Sequence, residues 1–254
     1  MTGINRHVCV CVGAACATVL VTASAANAQA GQTAESRWVL DVGVGIDPSI
    51  NGNVSSGAIG TLQGQTTAML PQPYGEIYGT GVQLRFGGGY TLSDTSELRG
   101  IFTYQSADAD LTRLGDIGAS SLYSQFSDYK SFGLDFGYRR YLPLSAQSIR
   151  VFGEATIGAA FIDRINAQFA APQANVVLTS TDFYDSTAAF TFGVNFGAAF
   201  RVARQAEVTA QIGLRHVSGL SEVDQFVGTG LDTVNNDSAR LTFPIVVGVR
   251  WHFK

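Results

Sequence analysis

From Ala239 to Phe253 apolar and polar side chains alternate one for one. Ala239, Leu241, Phe243, Ile245, Val247, Val249, Trp251 and Phe253 fall on one parity, and Arg240, Thr242, Arg250 and His252 on the other. A period of two is the signature of a strand with one apolar face. Sustained from 239 to 253, it exceeds the five or six residues usual in soluble sheets. It suits a tilted strand that keeps about 9–11 residues inside a bilayer. Seven segments upstream, 36–46, 80–92, 98–107, 130–142, 149–163, 187–202 and 206–218, repeat the rhythm. In the second, Val82, Leu84, Phe86 and Tyr90 oppose Gln83, Arg85, Gly87 and Gly89; in the sixth, Phe190, Phe192, Val194 and Phe196 oppose Thr191 and Asn195.

The connections alternate as well. Segments 93–97, 143–148 and 203–205 are short, while 47–79, 108–129, 164–186 and 219–238 are long. Tight turns at one end and long loops at the other predict an eight-stranded antiparallel up-and-down transmembrane β-barrel, all-β, with both termini at the turn end. The sheet must close, because lipid offers no partner to an open edge. Apolar faces then meet lipid and polar faces fill the lumen. Aromatic girdles fit this reading: Trp38, Tyr90, Tyr138, Phe200, Trp251 and Phe253 at the turn end, and Tyr78, Tyr104, Tyr129 and Phe161 at the loop end.

Composition narrows the class further. Charged residues are 14% of the chain, against about 25% in an ordinary soluble domain, and apolar residues reach 46%. A net charge of −4 is the wrong sign for neutralising phosphates, which excludes nucleic acid as the expected partner. Residues 1–30 read as a cleaved signal peptide. Arg6 precedes an uncharged apolar stretch from Val8 to Val21, and the small-x-small sites Ala26-Asn27-Ala28 and Ala28-Gln29-Ala30 follow. Cys9, Cys11 and Cys16, the three cysteines of the chain, all fall in this segment. The remaining 31–254 form the barrel, expected in the outer membrane of a Gram-negative cell envelope.

Signal, eight alternating strands and the ending Val247-Gly248-Val249-Arg250-Trp251-His252-Phe253 together resemble the small outer-membrane β-barrel superfamily of outer membrane protein A and the opacity proteins. A carboxy-terminal peptidoglycan-binding domain like that of outer membrane protein A is not expected here. The resemblance implies that the final strand is the insertion signal read by the barrel-assembly machinery, with Trp251 and Phe253 as its aromatics. Outer-membrane lipids and lipopolysaccharide are the expected surroundings, and the barrel is expected to be a monomer.

Candidate chemistry sits in two places. By parity the lumen receives Arg37, Arg85, Arg99, Arg139, Arg150, Arg201, Arg215, Arg240 and Arg250, with Asp41, Asp135, Glu154 and Glu207. An eight-stranded interior is just wide enough to be filled by side chains, and buried charges must be paired, so these residues predict a salt-bridged plug. The alternative is a narrow, weakly anion-preferring pore, since arginines outnumber acids. On the outward parity, Leu214-Arg215-His216-Val217-Ser218 resembles the His-x-Ser pair of outer-membrane lipid A deacylases. That resemblance implies serine as nucleophile, His216 as base and Asp237 as the orienting acid. Gly219 and Leu220 follow the serine where that family carries Asn-Ala-Gly. No phosphate loop, zinc spacing or dinucleotide fingerprint is present, Asp108-Ala109-Asp110 falls short of a calcium loop, and neither cofactor nor metal is expected. The primary expectation is a non-enzymatic barrel with an envelope-structural or surface-interaction, adhesin-like role, whose external ligand would meet the acidic loops.

Overall fold

The computed structural model describes residues 37–142, 148–236 and 238–253; residues 1–30, expected to be the signal segment, lie outside them. In chain order the strands are β1 (Trp38–Asn51), β2 (Asn53–Leu62), β3 (Gln65–Pro73), β4 (Thr80–Ser93), β5 (Ser96–Ala107), β6 (Thr112–Ile117), β7 (Ser120–Phe126), β8 (Tyr129–Tyr141), β9 (Ile149–Ile162), β10 (Ile165–Ala171), β11 (Val176–Asp185), β12 (Thr187–Arg201), β13 (Ala206–Val217), β14 (Ser221–Glu222), β15 (Arg240–Thr242) and β16 (Ile245–His252). A single helical turn, α1 (Tyr74–Ile77), separates β3 from β4.

Eight long strands, each antiparallel to the next, form the barrel in the order β1, β4, β5, β8, β9, β12, β13, β16, and β16 pairs back onto β1. Register is continuous around the wall, from Val42 opposite Phe86 to Val42 opposite Val249. The Phe253 N–H donates to the Trp38 carbonyl at 3.2 Å and finishes the seam. Outward side chains are apolar and exposed, among them Val44, Phe86, Leu134, Phe136, Phe196 and Val247. The final alternating run is broken where Pro244 supplies no N–H, so β15 and β16 replace one strand over 239–253.

The long connections are folded, which the sequence reading did not anticipate. Strands β14, β11, β10, β7, β6, β3 and β2 form a second antiparallel sheet that continues the barrel hairpins as a cap. The last connection lies along its β2 edge: Ser56 N–H donates to Val234 O at 2.8 Å and Thr61 N–H to Thr229 O at 2.7 Å. Gly60 permits this approach, since a Cβ there would collide with the Thr229 carbonyl oxygen. Gly52, at φ +107°, makes the bend between β1 and β2.

The hydrophobic core of the molecule is in the cap rather than the barrel. Val54, Ile77, Leu114, Ile117, Leu122, Phe169, Phe183 and Phe226 are buried together. Phe183 sits at the centre, 5.1 Å from the Phe126 ring, 5.2 Å from Tyr184 and 5.8 Å from Phe226, each edge to face. Tyr78 and Tyr129, expected in the loop-end girdle, belong to this core and are 5% and 1% exposed. Of the expected turn-end girdle, Trp38, Tyr138, Phe200, Trp251 and Phe253 are exposed on the wall, while Tyr90 is half-buried against Trp38.

Candidate functional site: the lumen beneath the cap

Alternation delivers the inward residues of eight strands into one narrow column, and charge pairing organises them in layers. Nearest the turn end, Glu207 on β13 receives Arg150 at 2.6 Å, His252 Nε2 at 3.2 Å, Arg250 Nε at 3.6 Å and, at the rim, Arg201 Nε at 3.9 Å. In the next layer Glu97 on β5 pairs with Arg250, meets Arg99 Nε at 3.5 Å and accepts from the Tyr141 hydroxyl at 3.4 Å.

The densest layer is centred on Glu154 of β9. Its carboxylate meets Arg85 at 2.6 Å, Arg99 at 2.5 Å and Arg139 at 2.8 Å, and accepts from Asn195 at 3.3 Å. Arg99 also reaches Asp41 at 2.7 Å, and the Arg139 guanidinium lies 3.7 Å over the Phe152 ring. Two of the three cations crowded on this buried carboxylate have further partners: Arg99 has Asp41 and Glu97, and Arg139 has the Gln211 amide and the Phe152 ring face. Above this, Asp135 accepts from Thr191 at 2.6 Å and from Arg215 at 3.1 Å. A cavity of about 30 Å³ remains there, lined by Gln83, Arg85, Asp135, Asn195 and Arg215, room for about one water. At the top, Arg240 donates to Gln105 at 2.9 Å and lies 4.0 Å over the Tyr129 ring, directly under the cap core.

One of the expected lumen assignments changes, and two acids join the set. Arg37 is exposed and donates to the Tyr90 hydroxyl at 3.2 Å on the outer side of the wall, because it precedes β1 and is not bound by its alternation. Glu97 and Asp47, both buried at lumen positions, are the added acids; they fall in 93–97 and 47–79, which the sequence pattern reads as a turn and a loop. Among the described residues eight arginines therefore face six acids, and most of the apparent cation surplus disappears.

The outward pair is placed as parity requires. His216 packs against Phe192 with ring centroids 5.0 Å apart and planes tilted by 35°. Ser218 Oγ accepts the Phe190 N–H at 2.9 Å, and the Ser218 N–H donates to the Phe190 carbonyl at 2.9 Å, so this serine stitches β12 to the end of β13. Asp237 lies outside the described residues. Among the described residues no three His, Cys, Asp or Glu side chains gather as metal ligands.

A family model described as the outer membrane protein beta-barrel domain matches residues 15–253. This chain belongs to that family. Its barrel is thereby an outer-membrane one. Among solved structures it is similar to Neisserial surface protein A, at 13% identity and a TM-score of 0.45, covering 87% of this chain and 100% of that one. It is also similar to OprG from Pseudomonas aeruginosa, at 11% identity and 0.46, covering 86% and 96%. The outer membrane protease OmpT from Escherichia coli matches at 9% identity and 0.43, covering 89% and 99%. No curated protein matches. In this outer-membrane family member the lumen is charged and the cap is apolar within.

Proposed function

We propose that this outer-membrane barrel is a closed, non-enzymatic element of the cell envelope whose capped end faces outward and serves structural or adhesin-like surface contact. The observation that carries this reading is the double seal. Glu154 and its three arginines fill the column at mid-height, and the Phe183-centred core closes its outer end. An ion crossing this lumen would have to break several buried pairs, each costly to separate. A cap with a core of its own offers a rigid platform, and rigidity lowers the ordering cost of binding a partner. The signal segment, removed on export, and the barrel-assembly machinery, reading Trp251 and Phe253, complete the route to the membrane. Ser218 Oγ is engaged with the Phe190 backbone, which supports a stitching role over a nucleophilic one. The test is single-channel recording in planar bilayers: small, infrequent openings are expected, and steady large conductance would overturn the proposal.

A further inference from the structure

The wall formed by β1, β4, β5 and β8 carries a row of outward residues in register: Leu40 opposite Gly88, Gly88 opposite Gly100, and Gly100 opposite Phe136. The two central positions are glycine, which weakens a strand interior. Neither glycine has a positive φ. A Cβ at Gly100 would meet nothing within 4 Å, and one at Gly88 only the Val39 carbonyl oxygen at 3.9 Å. The fold does not demand them. Their effect is a groove of about 560 Å³ in the lipid-facing surface, walled by Leu40, Phe86, Phe102 and Phe136.

The same four strands carry polar groups in a definite order toward the turn end. One pleat below the groove lie Tyr90 and Tyr138. Just beyond them come two exposed arginines. Arg37 is held on the outer side by its 3.2 Å bond to the Tyr90 hydroxyl, and Arg140 follows Tyr138 on the outward parity. From Phe136 to Arg140 the strand advances about 13 Å, which at a barrel tilt of roughly 35–45° is about 10 Å of membrane depth. Cation, phenol and apolar groove thus follow one another as phosphate, ester region and acyl chain do in a phospholipid.

We infer that the β1–β4–β5–β8 wall is a binding site for one anionic phospholipid of the turn-side leaflet. Its acyl chain lies in the Gly88–Gly100 groove and its phosphodiester between Arg37 and Arg140. Assigning that leaflet to the periplasmic side rests on the cap-outward reading above; the site itself does not. A second copy of the chain is a poorer occupant, because a twofold contact there would bring the arginines of both copies together.

Native mass spectrometry of the purified barrel after exposure to dioleoylphosphatidylglycerol or dioleoylphosphatidylcholine tests the inference. One phosphatidylglycerol should be retained, about tenfold in preference to phosphatidylcholine. Arg37→Gln with Arg140→Gln should abolish the preference. Gly88→Leu with Gly100→Leu should lower retention of both lipids about tenfold, with the heat-modifiable folded band confirming the barrel. Should that pair fail to fold, Gly88→Ala with Gly100→Ala, for which the space is open, should lower retention in the same direction. Retention equal in the wild-type and groove-filled proteins, no headgroup preference, or a dimer that the groove substitutions dissociate would each overturn it. Conductance plays no part in these readings, so failure of the closed-barrel proposal and failure of this one are separately visible.

Discussion

The barrel and its cap are built from the same chain by opposite rules. In the barrel Phe86, Phe136 and Phe196 point outward while Glu97, Arg139 and Glu154 are buried. In the cap Phe169, Phe183 and Phe226 are buried, while Arg164 is exposed and Asp116 and Asp185 are half-exposed. The surroundings dictate the inversion. Lipid gives no reward for hiding apolar groups, so the barrel is held by backbone pairing and by charge pairing in the lumen, as around Glu154 and Glu207. Water does reward it, so the cap folds as a soluble domain does. The two halves should therefore fail under different insults.

The largest effect is expected at Glu154. Glu154→Ala leaves Arg85, Arg99 and Arg139 without their shared carboxylate. Removing one partner of a single buried pair costs about 3–5 kcal/mol, and here three cations lose a partner at once, although Arg99 keeps Asp41. The heat-modifiable folded band should be lost or its urea midpoint in lipid vesicles lowered sharply, with Glu154→Gln intermediate. A fully stable Glu154→Ala barrel would show that lumen pairing is incidental to the fold.

Next comes the cap. Phe183→Ala empties the centre of the aromatic cluster, a truncation that costs about 3–5 kcal/mol in a packed core. The loss should stay local. Protease added to intact cells should cut within 47–79, 108–129, 164–186 or 219–238 far faster than in wild type, with the barrel band unchanged. Loss of the barrel band in this variant would mean that the two regions fold as one unit, and cutting at Asp94 or Thr95 in sealed cells would reverse the orientation.

The same contrast explains what the sequence made legible. The barrel obeys one alternation over strands of 12–15 residues in seven cases, long enough for period two to stand out and to assign Glu154, Asp41 and Asp135 to the lumen. Its errors fell at strand ends. Alternation is clear only from Leu98, so Glu97 at the start of β5 is hidden, and Arg37 precedes β1 and so lies outside the ladder whose parity points into the lumen. Cap strands are shorter. Leu122, Ser124 and Phe126, and then Ile165, Ala167, Phe169 and Ala171, do alternate as buried positions. But runs of 6 and 7 residues, with register shifts at Arg113/Gly115 and Ala167/Phe169, give period two little length to show itself. Nothing local states that four separate connections share one core, since those contacts are made between residues far apart in sequence. The groove was invisible for a different reason: Gly88 and Gly100 become neighbours only through strand register.

The smallest effect is one of pH and is confined to the base of the cap. Tyr74 donates its hydroxyl proton to the Ser238 carbonyl at 3.1 Å and Tyr78 to the Ser127 carbonyl at 3.1 Å. Burial holds both phenols above the ordinary tyrosine range. A group whose folded pKa is raised contributes stability that is complete below its unfolded pKa, near 10 for tyrosine. That contribution falls as pH rises further, because the opened cap releases protons that the closed one retains. Amide exchange at Phe183 and Phe226, measured against the intrinsic rate at each pH, should therefore be insensitive to pH between about 7 and 9. Above pH 10 it should accelerate, by up to about tenfold per pH unit for each tyrosine. Tyr74→Phe with Tyr78→Phe should remove the alkaline acceleration. At neutral pH it should cost only the two hydrogen bonds, about 1 kcal/mol each. An alkaline opening that persists in the double variant would assign the titration to other groups and separate the tyrosines from the stability of the cap.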